Sequence, residues 1–441
     1  MSCLACCCAS ATCGLCSSVA SGISRKSARI AYCGLFGASL VVSWILRETG
    51  APLLEKFPCT FSDPSSSIYV QSQMFQWVCR YQVPVSQRFD DWNLGINTSD
   101  AFTKEWYQQQ AVLRVSFGNF LFFAIYALIM IGVKDQNDRR DSWHHGGWPV
   151  KMIVWFLLVV LMFFVPNVIV SIYGTLSKFG AGAFLLVQVV LLLDATHNWN
   201  DSWVEKDERK WYVALLVISV ACYLATYAFS GILFMWFNPS GHDCGLNVFF
   251  IVMTMILAFV FAIVALHPAV NGSLLPASVI SVYCAYVCYT GLSSEPHDYV
   301  CNGLNRSKAV TASTLILGML TTVLSVLYSA LRAGSSTTFL SPPSSPRSAL
   351  LEDPEDGKKK NGEAEARPVS YSYSFFHVIF ALASMYAAML LSGWTDSSES
   401  ASLIDVGWTS VWVKICTGWV TAGLYIWTLI APLILPDREF Y

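Results

Sequence analysis

Charge is scarce in this sequence. Asp, Glu, Lys and Arg together make up 13% of the 441 residues, where a soluble domain usually carries about a quarter. That scarcity argues against a soluble globular fold. The start, "MSCLACCCASATCGLC", is built on cysteine, with no basic n-region before it. A cleaved secretory leader of the usual kind is therefore not expected, and the first span should stay in the mature protein. The apolar stretches lack period-two alternation, which speaks against a barrel. There is no nucleophile motif, no metal-ligand cluster and no Gly-rich phosphate loop. No catalytic residue, cofactor or metal is expected, and the chain reads as a non-enzyme. A net charge of -2 gives no reason to expect a nucleic-acid partner, and no repeat relates the two halves.

What the sequence has in abundance is apolar length. Hydrophobic residues make up 55% and the mean hydropathy is +0.50. A membrane-crossing helix needs about 20 apolar residues to span roughly 30 Å. Ten runs qualify, near 30–46, 111–133, 149–173, 178–199, 211–237, 245–267, 273–292, 309–332, 374–394 and 408–435. The fold class is thus an all-α membrane protein with ten transmembrane helices. Pro166 is expected to kink the third run. The 16 Trp and 19 Tyr suit a chain with many membrane interfaces.

An even number of spans puts both termini on one side. The amino terminus (Arg25, Lys26, Arg29), the connections 134–148, 200–210 and 333–373 (with Arg332 at the edge of the last), and the carboxyl tail hold twice as many Lys and Arg as the opposite connections. The positive-inside rule then places both ends in the cytosol. The expected layout is a Cys-rich cytosolic start (1–29), eight spans (30–332) with a long lumenal or extracellular loop at 47–110, a linker (333–373), two further spans (374–435) and a short cytosolic tail (436–441). The linker is Ser/Pro-rich, then charged, and nearly free of aromatics, so it should be disordered.

The 15 cysteines fall into groups. Cys6, Cys7 and Cys8 crowd a membrane-proximal cytosolic segment and are candidates for S-acylation. Zinc binding through "CLAC" and "CGLC" is the alternative. Cys59, Cys79, Cys244 and Cys301 lie in non-cytosolic loops, where disulfides persist. The favoured pairs are Cys59 with Cys79 and Cys244 with Cys301, and Cys288 could compete for Cys301. Asn97 and Asn305 are glycosylation sequons on the same side, while the sequon at Asn271 falls on the cytosolic side.

The segment "LLLDATHNWND" holds the candidate site. Helical spacing puts Asp194, His197, Asn198 and Asp201 on one stripe, and Asp194 is the only acid inside any of the ten runs. From Ala183 to Ser230 there is neither Gly nor Pro, so the helix should run on to about Lys206. Starting from residue 178, that helix would measure roughly 42 Å and would have to tilt or project into the cytosol. Three readings stand: a polar helix end that locks packing, a hydrophilic notch for lipid headgroups or a polar solute, or a catalytic Asp–His pair. The His144–His145 pair, flanked by Trp143 and Trp148, reads as an interfacial anchor rather than a metal site.

Together "LRVSFGNFLFF", "LLVQVVLLLDATHNWNDSWV", "LNVFFI", "LHPAV" and "SSEPHDYVCN" resemble the serine incorporator (SERINC/TMS-type) family of eukaryotic membrane proteins. The resemblance implies two helical subdomains bridged by a long diagonal helix, here the 178–206 segment. It implies a role in serine supply for phosphatidylserine and sphingolipid synthesis, or in ATP-independent lipid scrambling. Membrane phospholipids and lipid-synthesis enzymes are the partners it suggests, at the ER, Golgi or plasma membrane. A secondary transporter for serine and a scaffold for lipid-synthesis enzymes are the rival readings. The transporter reading wants paired, Gly/Pro-interrupted spans, which the sequence does not show.

Overall fold

The computed structural model describes residues 25–49, 104–239, 241–270, 272–296, 299–303, 308–332, 369, 371–392 and 407–434. These form helices α1 (Arg25–Thr49), α2 (Lys104–Ile129), α3 (Arg139–His145), α4 (Trp148–Met162), α5 (Asn167–Val204), α6 (Arg209–Phe237), α7 (Gly245–Leu266), α8 (Leu274–Leu292), α9 (Lys308–Arg332), α10 (Tyr373–Ser392) and α11 (Trp408–Ile434). The protein is an all-helical, multi-pass membrane protein. A spanning chain must satisfy its backbone groups internally, and long apolar helices do so.

Among the described residues eight helices are long and apolar enough to cross a membrane, and the bent pair α3–α4, angled by 73°, makes nine if it counts as one span. The exact count of ten is not confirmed among the described residues. The remaining run lies in the 25-residue helix α9, whose described apolar stretch is Ile316–Ala330.

The largest departure from the sequence reading is at Pro166. It ends one element instead of kinking it: α4 stops at Met162, and Pro166 precedes the first residue of α5. Proline lacks an N–H and disfavours helical geometry at the residue before it, yet it suits the start of a helix. Residues 167–177, expected to close one span and turn into the next, instead begin α5. That helix then runs for 38 residues, about 57 Å at 1.5 Å per residue. Its length far exceeds the hydrocarbon thickness, so it must lie obliquely or project from the bilayer.

Two bundles form around α5. In the first, α10 packs on α2, α5 and α9, with α1 and α4 against α2. In the second, α8 is central and packs on α6, α7 and α11. The change of bundle falls within one turn of α5. Val170, Ala181, Phe184 and Leu185 belong to the core of the first bundle, while Val189 and Leu193 belong to a core shared with α7, α8 and α11. Lipid tails are as apolar as leucine, so helix association here must come from close packing and interhelical hydrogen bonds. Gly118 supplies the first: a Cβ there would lie 2.7 Å from the Val159 Cα, so α2 and α4 can approach this closely only over glycine. A polar chain supplies the second. Trp155 Nε1 donates to Asn119 Oδ1 at 3.0 Å, and Asn119 Nδ2 donates to Ser384 Oγ at 2.6 Å. It ties α4, α2 and α10 together.

Candidate functional site

The end of α5 carries the stripe singled out in the sequence. Asp194 Oδ2 accepts from the Tyr328 hydroxyl of α9 at 2.6 Å. Asn198 Nδ2 donates back to the Asp194 carbonyl at 2.6 Å and to the Tyr328 oxygen at 3.3 Å. Asp194 and Asn198 therefore look toward α9, half-buried. His197 is also half-buried and within electrostatic reach of Asp194 and Asp201, and Asp201 is exposed. The buried seam is one position away: Leu193, Thr196 and Asn200. Asn200 donates to Ser273 Oγ at 2.9 Å, ahead of α8. The stripe lies along the edge of a packed interface, with its acids separated: one pinned to α9, the other facing out.

A second polar feature, further along α5 toward its start, was not singled out. Where α5 passes from one bundle to the other, a small, partly open pocket of about 30 Å³ lies between them. Gln188, Tyr283, Tyr286, Tyr386, Thr290 and Lys414 are among its lining residues, drawn from α5, α8, α10 and α11. Gln188 is 6% exposed, and its Oε1 has no hydrogen-bond partner. Lys414 is 8% exposed. Its Nζ donates to Ser294 Oγ at 2.7 Å and to the Thr290 carbonyl at 3.4 Å. Thr290 is in the last turn of α8, where carbonyls lack helical partners and the dipole is negative, a favourable place for a cation. Polar and hydroxyl-bearing side chains thus converge between apolar helices, where such groups are expensive and usually face protein or water. The sequence signal existed: a lone Gln in "LLVQVVLLL" and a lone Lys in "SVWVKICTGW".

Two other buried clusters lie outside the stripe. Arg114 is fully buried. It donates to Gln110 Oε1 at 3.0 Å, to the Val165 carbonyl at 3.1 Å and to Asn167 Oδ1 at 2.6 Å, holding the break around Pro166. His144, expected at the interface, is 0% exposed. Its ring nitrogens meet His377 Nε2 at 3.1 Å and the Tyr371 hydroxyl at 2.8 Å. Lys151 Nζ donates to its carbonyl at 2.8 Å and sits over the rings of Trp148 and Tyr32. The bend between α3 and α4 turns His144 inward, toward α1 and α10, so its role is core packing rather than anchoring.

Among the described residues no group of three or more His, Cys, Asp or Glu could hold a metal. Cys244 and Cys301 are joined in a disulfide that ties the approach to α7 to the loop after α8, while Cys288 is a free, buried thiol. Cys6, Cys7, Cys8, Cys59, Cys79, Asn97, Asn271, Asn305 and nearly all of the 333–373 linker lie outside the described residues.

The family described as Serine incorporator (Serinc) matches residues 5–438. The chain is 31% identical to serine incorporator 3 of Bos taurus over 80% of its own length and 85% of that protein. It is 34% identical to a probable serine incorporator of Nematostella vectensis, over 75% of its length and 80% of that protein. With serine incorporator 2 of Mus musculus the identity is 29%, over 100% of this chain and 98% of that protein. The chain belongs to the serine incorporator family.

Proposed function

We propose that this member of the serine incorporator family redistributes membrane lipid without an energy source, using the groove between its two bundles as a path for headgroups. The observation that supports the reading is the pocket at the α5 crossing. Gln188, Lys414 and several tyrosine and threonine hydroxyls line it, between helices whose outer faces are apolar. A headgroup crossing a bilayer must give up water, and polar side chains in a groove can replace part of that hydration. Acyl tails need no such replacement and can stay in lipid outside the groove. The stripe of Asp194, His197, Asn198 and Asp201 would form a polar edge at the cytosolic end of α5. Both termini are then cytosolic, and the membrane is that of the ER, the Golgi or the cell surface.

The experiment is reconstitution of the purified chain into vesicles carrying a headgroup-labelled phospholipid in both leaflets. Loss of inner-leaflet protection from a membrane-impermeant quencher is the expected result. Full protection combined with serine uptake would assign the chain to secondary transport. Full protection without uptake would leave a scaffold for lipid-synthesis enzymes.

A further inference from the structure

Away from the groove, the end of the second bundle buries an acid. Glu295 follows α8, within the segment "SSEPHDYVCN", and is 0% exposed, as is Asn247 in the first turn of α7. Asn247 Nδ2 donates to the Phe237 carbonyl at 3.2 Å, at the end of α6, and to Glu295 Oε2 at 3.2 Å. Those two bonds fix which end of the amide is nitrogen. Asn247 Oδ1 must therefore be the other end, and it has no donor; neither has Glu295 Oε1. Two buried acceptor oxygens, one on each partner of a hydrogen-bonded pair, are left unsatisfied. Leaving either so is costly in a buried site, and an ionised carboxylate with no cation bound costs more still.

We infer that Glu295 and Asn247 form a proton-binding site. Glu295 is a neutral carboxylic acid whose Oε1–H donates to Asn247 Oδ1 while Asn247 Nδ2 donates to Glu295 Oε2. One proton gives both orphan oxygens a partner, turns a one-bond contact into a cyclic two-bond pair and removes the buried charge. The surrounding structure is organised to hold the acid in place. Asn302 Nδ2 donates to the Glu295 carbonyl at 3.1 Å, and the Cys244–Cys301 disulfide fixes the same loop to the approach to α7. Gly407 N, ahead of α11, donates to the Ser294 carbonyl at 2.7 Å. The titratable groups around it, among the described residues, are Cys288 on α8 and Tyr299 in the loop, both within electrostatic reach. Asp243 before α7 acts on the same Tyr299, and Lys414 on α11 donates to the neighbouring Ser294. Burial pushes the Glu295 carboxyl up to about 8, only partly offset by the Asn247 hydrogen bond.

The native state holds a proton that the unfolded chain, with an ordinary carboxyl, releases several pH units lower. Stability from this group is therefore full at acid pH, falls as pH rises between the two values, and is lost above the native one. The test compares the full-length chain with Glu295→Gln, whose amide can make the same two bonds with no proton to lose. The melting temperature of the wild type should fall, relative to Glu295→Gln, as pH is raised toward and through about 8. The infrared difference spectrum between the two proteins near neutral pH should show a protonated-carboxyl band that the variant lacks. A carboxylate band instead, a constant difference at all pH, or a Glu295→Gln protein less stable at neutral pH overturns the inference. Stabilisation of the wild type by sodium or potassium, relative to a bulky organic cation, overturns it too, because a metal ion would then hold the two oxygens.

Discussion

The Tyr328 hydroxyl donates to Asp194 Oδ2 across 2.6 Å, joining α9 to the long helix α5. This contact decides how the acid inside the apolar run is to be tested. If the stripe only locks packing, Asp194→Asn and Tyr328→Phe should each lower stability by about 1 kcal/mol and leave lipid movement per molecule intact. If it forms the edge of a headgroup path, Asp194→Asn and His197→Ala should change lipid movement with little change in melting temperature, while Tyr328→Phe acts on stability alone. Unchanged movement in both Asp194→Asn and His197→Ala, with well-folded proteins, assigns the stripe to packing.

Gln188 offers a cleaner separation of stability from function. Its Oε1 is buried without a partner, so Gln188→Leu removes a cost and should raise stability by about 1 kcal/mol. The same change strips a polar group from the groove and should slow lipid movement several-fold. Thermal unfolding and vesicle assays on one preparation check both directions. A variant that is more stable and equally fast would remove Gln188 from the headgroup path.

Arg114 should be structural. Its guanidinium satisfies the Val165 carbonyl and Asn167 Oδ1 across the break between α4 and α5. Arg114→Met leaves those acceptors in an apolar core and should cost roughly 2–3 kcal/mol. Arg114→Lys should recover only part, since an ammonium lacks the planar fork that reaches several acceptors at once. Melting temperatures of the two variants provide the ranking.

Topology is tested by glycan mapping. With cytosolic termini, Asn97 and Asn305 accept glycans and Asn271 stays bare. Endoglycosidase shifts on single Asn→Gln variants read this directly. A glycan on Asn271 inverts the proposed orientation or breaks the span order.

The Cys-rich start should carry thioester-linked acyl chains. Hydroxylamine-sensitive mass on Cys6, Cys7 or Cys8 is the expected result. Stoichiometric zinc in the purified protein would assign those thiols to metal instead.

The sequence by itself determined that this is an all-helical membrane protein. Apolar runs near 20 residues cannot meet their backbone hydrogen bonds in lipid any other way. It also determined that α5 continues past Asp194, because neither Gly nor Pro interrupts it, and the family motifs are legible in its residues. What it could not decide was where α5 begins. Apolar residues flank Pro166 on both sides, so hydropathy alone cannot tell a kink from a break; the buried Arg114, reaching from α2 to both sides of that break, holds it open. Nor could it show the pocket at the α5 crossing. Gln188 and Lys414 are 226 residues apart in the numbering and line one pocket only because α5 changes bundles between Leu185 and Val189. Periodicity reports which face of one helix is polar. Which helices a polar side chain meets depends on how separate helices cross, and that is settled by packing between residues far apart in the chain.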